Sequence, residues 1–310
     1  MVKIIASHYE LGEKKESLEE LCKLNSEWNY EKLFLKTGIR NRFILSEGQS
    51  PEELSIGVGK ECLKKLENQD IDGLIYVSQS PSQPLPTRAC YIQDKLKIKK
   101  NSFAFDINQG CSGFVYALSV ATSLIKNKCA RRILIICADF YSKYISVNDR
   151  TSRPIFSDAS AAVVLEASES NNIGPFIFKT SGAGGDFLTV IKDKNEHKLF
   201  MDGPSVLKFS LDMVPEATFE LLEKSNLKIN DIEKFIYHQA SAVVLNKLQK
   251  KLNISNAKWF NKLENLGNTV SATIPIAINI LQSENQFDNS KKYLIMGFGV
   301  GLSVAGCIIN

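Results

Sequence analysis

The sequence predicts an α/β protein assembled from two α/β halves of similar size, residues 1–168 and 169–310. Three observations carry that prediction. Apolar runs of strand length alternate with helix-period segments along the whole chain. The runs are nearly continuous rather than alternating, as in strands buried on both faces of a sheet. A polar stretch, SESNNIGP from residue 168, interrupts the alternation before it resumes. No residue-level repeat links the halves, so any duplication between them is structural only.

Length and composition set the bounds. A chain of 310 residues can bury a large core, and 44% hydrophobic with 23% charged residues excludes general disorder. The net charge of +4 is mild, and its basic residues are scattered with few aromatics among them, which argues against a nucleic-acid partner. The start, MVKIIASHYE, turns polar too soon for a signal peptide, and no later apolar run reaches membrane-spanning length. Seven cysteines, an odd number without a CxxC pair, argue against a disulfide framework and a structural zinc site. The expectation is a reduced, cytoplasmic protein with no metal and no membrane contact.

In the first half, IDGLIYVS (71–78), SFAFDI (102–107), ARRILIICAD (130–139) and SAAVVLEA (160–167) predict strands. A helix starts at Ser50, with Pro51 in its first position, Glu53 completing a capping box, and Leu54, Val58, Cys62 and Leu66 recurring along it. In the second half FIFKTSG, KFIYHQ, KYLIMGFG and LSVAGCII predict strands, with helices over roughly 205–225, 241–252 and 271–282. Cys22, Cys62, Cys90, Cys129, Cys137 and Cys307 read as core packing. His8 and His197 lie in polar contexts and read as surface residues.

Three bends stand out. In DINQGCSGFVYALSVA (106–121) a strand passes through a Gly-Cys-Ser-Gly turn into a helix, which places Cys111 against unpaired N–H groups and the positive end of the helix dipole. That setting draws a thiol toward thiolate. In FIYHQASAVVLNKLQKKL a strand ends at His238 and a helix carrying Val244, Leu245, Leu248 and Leu252 follows. In NLGNTVSATIPIAINIL a Gly-Asn-Thr turn opens another helix, with Asn268 at its start. Strand-to-helix bends are where α/β sheets gather ligands. Cys and His can act as nucleophile and base. Alternatively, His Nε2 and the Asn amide, both as donors, can hold the oxygen of a thioester as it becomes an enolate. The Gly-rich segment 297–301 precedes a strand, whereas a dinucleotide loop precedes a helix.

Eight blocks carry a family resemblance: KTGIRNRFI, LPTRACYIQ, FDINQGCSGFVYALSVA, DRTSRPIFSDASAAVVL, MDG, HQAS, NLGNTVSATIP and GFGVGLSVAG, in order over nearly the full length. With them the chain resembles a β-ketoacyl-acyl-carrier-protein synthase III, a ketosynthase of the thiolase fold. The resemblance implies a five-layered αβαβα architecture, usually a homodimer, and a decarboxylating Claisen condensation. An acyl group passes from a thioester to Cys111, and a malonyl acyl carrier protein then loses carbon dioxide and attacks it. It places the catalytic triad on Cys111, His238 and Asn268. On chemical grounds the backbone amides of Cys111 and of the Gly-rich loop 298–301, Val300 among them, are suitable donors to a tetrahedral oxyanion. Lys36, Arg150, Gly203 and Ser241 fall on coenzyme A or phosphopantetheine contacts, and Lys208, Lys250 and Lys251 on the flank that docks carrier protein. No cofactor is implied; acyl-CoA or acyl-carrier-protein donors and the malonyl carrier protein are substrates.

What is missing separates related chemistries. Thiolases use a second cysteine in a Cys-x-Gly turn, and here the late Cys307 sits inside an apolar strand. The stretch VSQSPSQPLPTR (77–88) contains no acid to serve as the base of the hydroxymethylglutaryl-CoA synthases. Housekeeping synthases carry an adenine-stacking tryptophan five residues before the TG of TGIR, where this chain has Lys32; the nearest tryptophan is Trp28. Such departures fit a member serving a specialised lipid or surface-polysaccharide pathway. The alternative activity is transfer of the Cys-bound acyl group to a hydroxyl or amine.

Overall fold

In the computed structural model, which describes residues 1–193 and 196–310, the apolar runs form two sheets stacked with helices between and outside them. The first sheet is ordered β1 (Val2–Leu11), β7 (Ala159–Ala167), β6 (Arg132–Asp139), β4 (Gly73–Val77) and β5 (Phe103–Ile107). The second is ordered β8 (Ile173–Thr180), β13 (Ser303–Ile309), β12 (Tyr293–Gly299) and β11 (Lys234–Tyr237). In each, one parallel pair adjoins two antiparallel pairings: β4 with β6, then β7 and β1; β11 with β12, then β13 and β8. The duplication invisible in the residues is therefore explicit in the strand order, and β5 is the addition to the first sheet. Two antiparallel strand pairs, β2 (Lys14–Ser17) with β3 (Asn41–Ile44) and β9 (Leu188–Asp193) with β10 (Glu196–Met201), decorate this frame.

The helices complete five layers. Helices α3 (Pro51–Lys64) and α4 (Arg88–Lys95) cover the outer face of the first sheet, and α6 (Gly203–Lys224) and α7 (Ala242–Leu252) belong to the outer layer of the second. Between the sheets lie α5 (Gly113–Lys126) and α8 (Thr273–Ser283), and the core there joins Val115, Leu118, Ile274 and Ile278 to apolar residues of both sheets. The two short helices α1 (Leu18–Leu24) and α2 (Tyr30–Thr37) pack together around Trp28. The central-layer helices are apolar nearly all round because they touch a sheet on either side.

Several expectations need correction. Strand β1 contains the polar His8, Tyr9 and Glu10, paired with Ala162, Ala161 and Ser160, so its second half is half-solvated and lacks an apolar signature. Strand β8 starts at Ile173, inside the stretch read as a break. At α3 the Ser50 hydroxyl accepts from the Glu53 amide, but the reciprocal bond of a capping box is formed instead by Ser17 and Glu20 at α1. Cys62, Cys137 and Cys307 are buried, whereas Cys90 and Cys129 are exposed on α4 and beyond α5, and Cys22 is half-buried. Short helices and loops expose residues that a continuous apolar sheet would cover.

Candidate active site

Cys111 sits on the turn between β5 and α5. Gly113 N donates to Gly110 O, closing the turn, and Ser112 Oγ lies 2.8 Å from Ser303 Oγ at the start of β13. The amide of Gln109 donates to the same Ser303 hydroxyl at 3.0 Å, so residues from opposite halves hold the bend. Two glycines of β12 make room for it. A Cβ on Gly297 would lie 2.6 Å from Cys111 O, and one on Gly299, at φ +151°, would lie 2.8 Å from Cys111 Sγ. The N–H groups of Val300 and of Cys111 itself face the sulfur.

The expected thiolate is not the resting form. Burial pushes the Cys111 thiol up to about 12, and the nearby Asp139 carboxylate adds to the rise; the two amides oppose it without cancelling it. With almost no exposed surface, an ion at that sulfur loses its water, and donors at the start of one helix do not replace a full hydration shell.

His238 follows β11, and its amide extends the β11–β12 ladder by donating to Met296 O at 2.8 Å. Its ring stands edge-on to Phe298, centroids 5.5 Å apart, and its Nδ1 faces Thr273 Oγ1. Burial lowers its pKa to about 3, so the imidazole is neutral throughout the physiological range.

Asn268 is not at the start of α8 but ahead of a 3₁₀ turn, Val270–Ala272, that precedes the helix. Its backbone pairs with the loop after β6, donating to Ile155 O and accepting from Ser157 N. Its Oδ1 accepts from Val270 N at 2.9 Å and its Nδ2 donates to Ala240 O at 3.3 Å, which fixes the amide orientation and leaves a second N–H. Val270 is held at φ +53°, a left-handed setting that a β-branched residue adopts only where its surroundings impose it.

The three side chains converge on one cavity of about 270 Å³, lined also by Phe298, Gly299 and an apolar sleeve that includes Phe156, Leu188, Met201 and Leu207. Lys36, Gly203 and Ser241 lie on its walls. Gly203 and Ser241 sit at the N-termini of α6 and α7, whose positive ends therefore face the same opening. Arg150 does not line the cavity, although its neighbour Thr151 does. Lys208 is ion-paired with Asp212 at 2.6 Å, Lys251 donates to Leu211 O, and Lys250 is exposed, all on the outer surface of α6 and α7. Trp28 is buried and Lys32 exposed, so the indole nearest position 32 is not presented at the surface.

Sequence reasoning missed Asp139. This buried carboxylate at the end of β6 accepts from Gln79 N and Ser80 Oγ on one side and from Ser271 N and Oγ on the other, tying the loop after β4 to the turn beside Asn268. Burial raises it to about 6 against those four donors. Its signal was an acid closing an otherwise apolar strand. Among the described residues, no helix is long and apolar enough to cross a membrane, and no group of three His, Cys, Asp or Glu could hold a metal.

Comparison with known proteins decides the family. The model for 3-oxoacyl-[acyl-carrier-protein (ACP)] synthase III matches residues 105–182, and its C-terminal counterpart matches residues 222–310. A β-ketoacyl-[acyl-carrier-protein] synthase III from Clostridium perfringens is 34% identical over 309 residues, covering 95% of this chain and 94% of the relative. The chain belongs to the 3-oxoacyl-[acyl-carrier-protein] synthase III family. A crystal structure titled as such a synthase III superposes with a TM-score of 0.93 at 32% identity, covering 100% of this chain and 99% of the other. The synthase III of Aquifex aeolicus superposes with 0.94 at 29% identity, covering 100% of both. The synthase III assignment carries with it the thiolase fold and an acyltransferase-type condensing activity.

Proposed function

We propose that this synthase III builds a β-ketoacyl thioester in two half-reactions on one cavity, with Cys111 carrying the acyl group between them. The supporting observation is the convergence of Cys111, His238 and Asn268 on that cavity. In the first half-reaction Sγ bonds to the acyl carbon of an acyl-CoA or acyl-carrier-protein donor, the donor C–S bond breaks, and the Cys111 proton ends on the departing thiol. Because the resting thiol is neutral, attack and proton loss are coupled. The amides of Val300 and Cys111 are placed to stabilise the tetrahedral oxyanion, on the order of 3 kcal/mol per donor.

In the second half-reaction malonyl acyl carrier protein loses carbon dioxide. The electron pair of the broken C–C bond becomes an enolate, whose oxygen is met by N–H groups of His238 and Asn268. A neutral imidazole suits this task, since it polarises the oxygen without needing to lose or gain a proton. The enolate carbon then attacks the acyl-Cys111 carbonyl, and the Cys111 thiolate leaves and takes up a proton. Transfer to a hydroxyl or amine would give the His238–Asn268 pair no enolate to hold. Lys36, Gly203 and Ser241 are the proposed contacts of the phosphopantetheine arm, and Arg150 of the coenzyme outside it, with Lys208, Lys250 and Lys251 as the docking flank. A homodimer belongs to the same reading, since β5 is a sheet edge with half-buried Phe103, Phe105 and Ile107.

Intact-mass spectrometry after incubation with acyl thioesters, then with malonyl acyl carrier protein, tests the scheme. Cys111 should gain the acyl mass and lose it on adding the malonyl carrier, with β-ketoacyl carrier protein appearing. Acyl mass persisting on a Cys111→Ala protein would refute the assignment.

A further inference from the structure

We propose that Asp139 is a positioning residue for the loss of carbon dioxide: its carboxylate holds the turn that orients both enolate donors, while acylation of Cys111 proceeds without it. This rests on the proposed division of labour between Cys111 and the His238–Asn268 pair. Asp139 closes β6, is fully buried and does not line the cavity that those three side chains share, so it acts through other residues.

The turn runs from residue 268 to 273. Val270 N donates to Asn268 Oδ1 at 2.9 Å and sets the direction of that amide. Thr273 Oγ1, which faces Nδ1 of His238, lies 3.1 Å from Val270 O. Both donors are thus oriented through Val270, whose backbone stands at φ +53°. A β-branched residue keeps that conformation only where its surroundings fix it. The next residue supplies the anchor: Ser271 N donates to Asp139 Oδ2 at 3.2 Å, and Ser271 Oγ donates to the same oxygen.

The anchor holds because its other oxygen is tied down. Oδ1 accepts from Gln79 N at 2.8 Å and from Ser80 Oγ at 3.3 Å, and that hydroxyl accepts in turn from Phe140 N. Four donors meet an ionised carboxylate, which has about four acceptor sites and no proton of its own. Each oxygen faces one backbone N–H. An asparagine here, whichever way its amide turns, aims its NH₂ at the N–H of either Gln79 or Ser271.

Acylation draws on different parts. The Cys111 turn is held by Gly110 and by Ser303 of β13, and its sulfur faces the Val300 amide. The Asp139 carboxylate raises the Cys111 thiol, so removing its charge eases ionisation of the nucleophile. The groups that face Asp139 leave it alone to titrate in mild acid. Burial raises the thiols of Cys111 and Cys137 and the phenols of Tyr76, Tyr141 and Tyr144. Lys143, lowered by burial, donates to Ser80 O and Pro81 O as an ammonium.

The test compares wild type, Asp139→Asn, Ser271→Ala and the double variant. It measures acetylation of Cys111 from acetyl-CoA by mass, and turnover of carbon dioxide release at saturating malonyl acyl carrier protein. Asp139→Asn should slow carbon dioxide release about tenfold or more, the effect of leaving a buried N–H unpaired, with KM for the malonyl carrier unchanged. Its acetylation should match or exceed wild type, which also reports that it folds. Ser271→Ala keeps the carboxylate, should show a smaller loss of the same kind, and carries the test if the asparagine variant does not fold. The double variant should be no slower than Asp139→Asn, since both changes remove one contact. From pH 7 to pH 5 the ratio of wild-type to Asp139→Asn turnover should fall toward one, because burial places the Asp139 carboxyl at about 6 and wild type loses its carboxylate. Equal loss of both half-reactions, additive losses in the double variant, or wild-type carbon dioxide release by the folded single variants would overturn the proposal. A wild-type protein that takes no acetyl group or releases no carbon dioxide would instead refute the two half-reactions themselves.

Discussion

Nδ1 of His238 lies 2.8 Å from Oγ1 of Thr273, so whether that hydroxyl donates or accepts goes with which imidazole nitrogen carries the proton. Thr273 Oγ1 is also 3.1 Å from the carbonyl of Val270. When the hydroxyl donates to Nδ1, Nε2 carries hydrogen and can donate into the cavity. When it donates to Val270 O, it accepts from Nδ1–H instead, and Nε2 is a bare acceptor.

Enolate stabilisation by His238 requires the first arrangement. Thr273→Val, which keeps the shape and loses the hydroxyl, should slow carbon dioxide release from malonyl acyl carrier protein by about tenfold, the worth of one net hydrogen bond. Acylation of Cys111 should change little, and Thr273→Ser should restore decarboxylation. Equal loss in both half-reactions would mean that Thr273 supports the fold and not the tautomer.

The resting thiol gives a pH test. With its pKa pushed up to about 12, the thiolate fraction of Cys111 grows tenfold per pH unit across the accessible range. The rate of iodoacetamide alkylation at Cys111 should climb from pH 7 to 10 without levelling. A plateau below pH 8 would show that the helix end and the facing amides outweigh burial.

His238 gives a test of opposite sign. Its folded pKa, about 3, lies below its unfolded value near 6.5, so the unfolded chain binds the proton more tightly. Its contribution to stability is full above pH 6.5 and declines as pH falls toward 3, by at most about 1.4 kcal/mol per pH unit. Urea unfolding at pH 7 and pH 5 should show a smaller acid loss for His238→Gln than for wild type. Equal losses would place a charged His238 in the native state.

Gly299→Ala puts a methyl group 2.8 Å from Cys111 Sγ at a φ of +151°. Acylation of Cys111 should fall by roughly a hundredfold, because displacing the sulfur by a fraction of an ångström misaligns attack. The variant should also unfold at lower urea. A folded variant with wild-type acylation would show that β12 shifts freely.

How much of this was legible in the residues depended on burial. Strands such as Gly73–Val77, buried at every position, appear as apolar runs, and α5 announces itself because sheets enclose it on both sides. Strand β1 and the β9–β10 hairpin did not, since their partly solvated faces tolerate polar residues. The bends and motifs single out Cys111, His238 and Asn268, which the fold brings to one cavity. Their surroundings were not legible: the Thr273 hydroxyl and the Asp139 brace depend on contacts 35 and 132 positions apart in the chain, and the left-handed Val270 on a turn conformation that a valine does not advertise.

The Ser112–Ser303 contact joins residues 191 positions apart. On a translating ribosome, at about 5–20 residues per second, the interval between the two is on the order of 10 to 40 s. Throughout it the nascent chain holds Cys111 without the hydroxyl that pins its turn, without the Val300 amide, and without the glycines that shape its neighbourhood. On the proposed role of Cys111, acyl transfer is thus unavailable to the half-made chain however well its first sheet has folded, and competence arrives in a late step, when the last hairpin of the second sheet closes over the thiol.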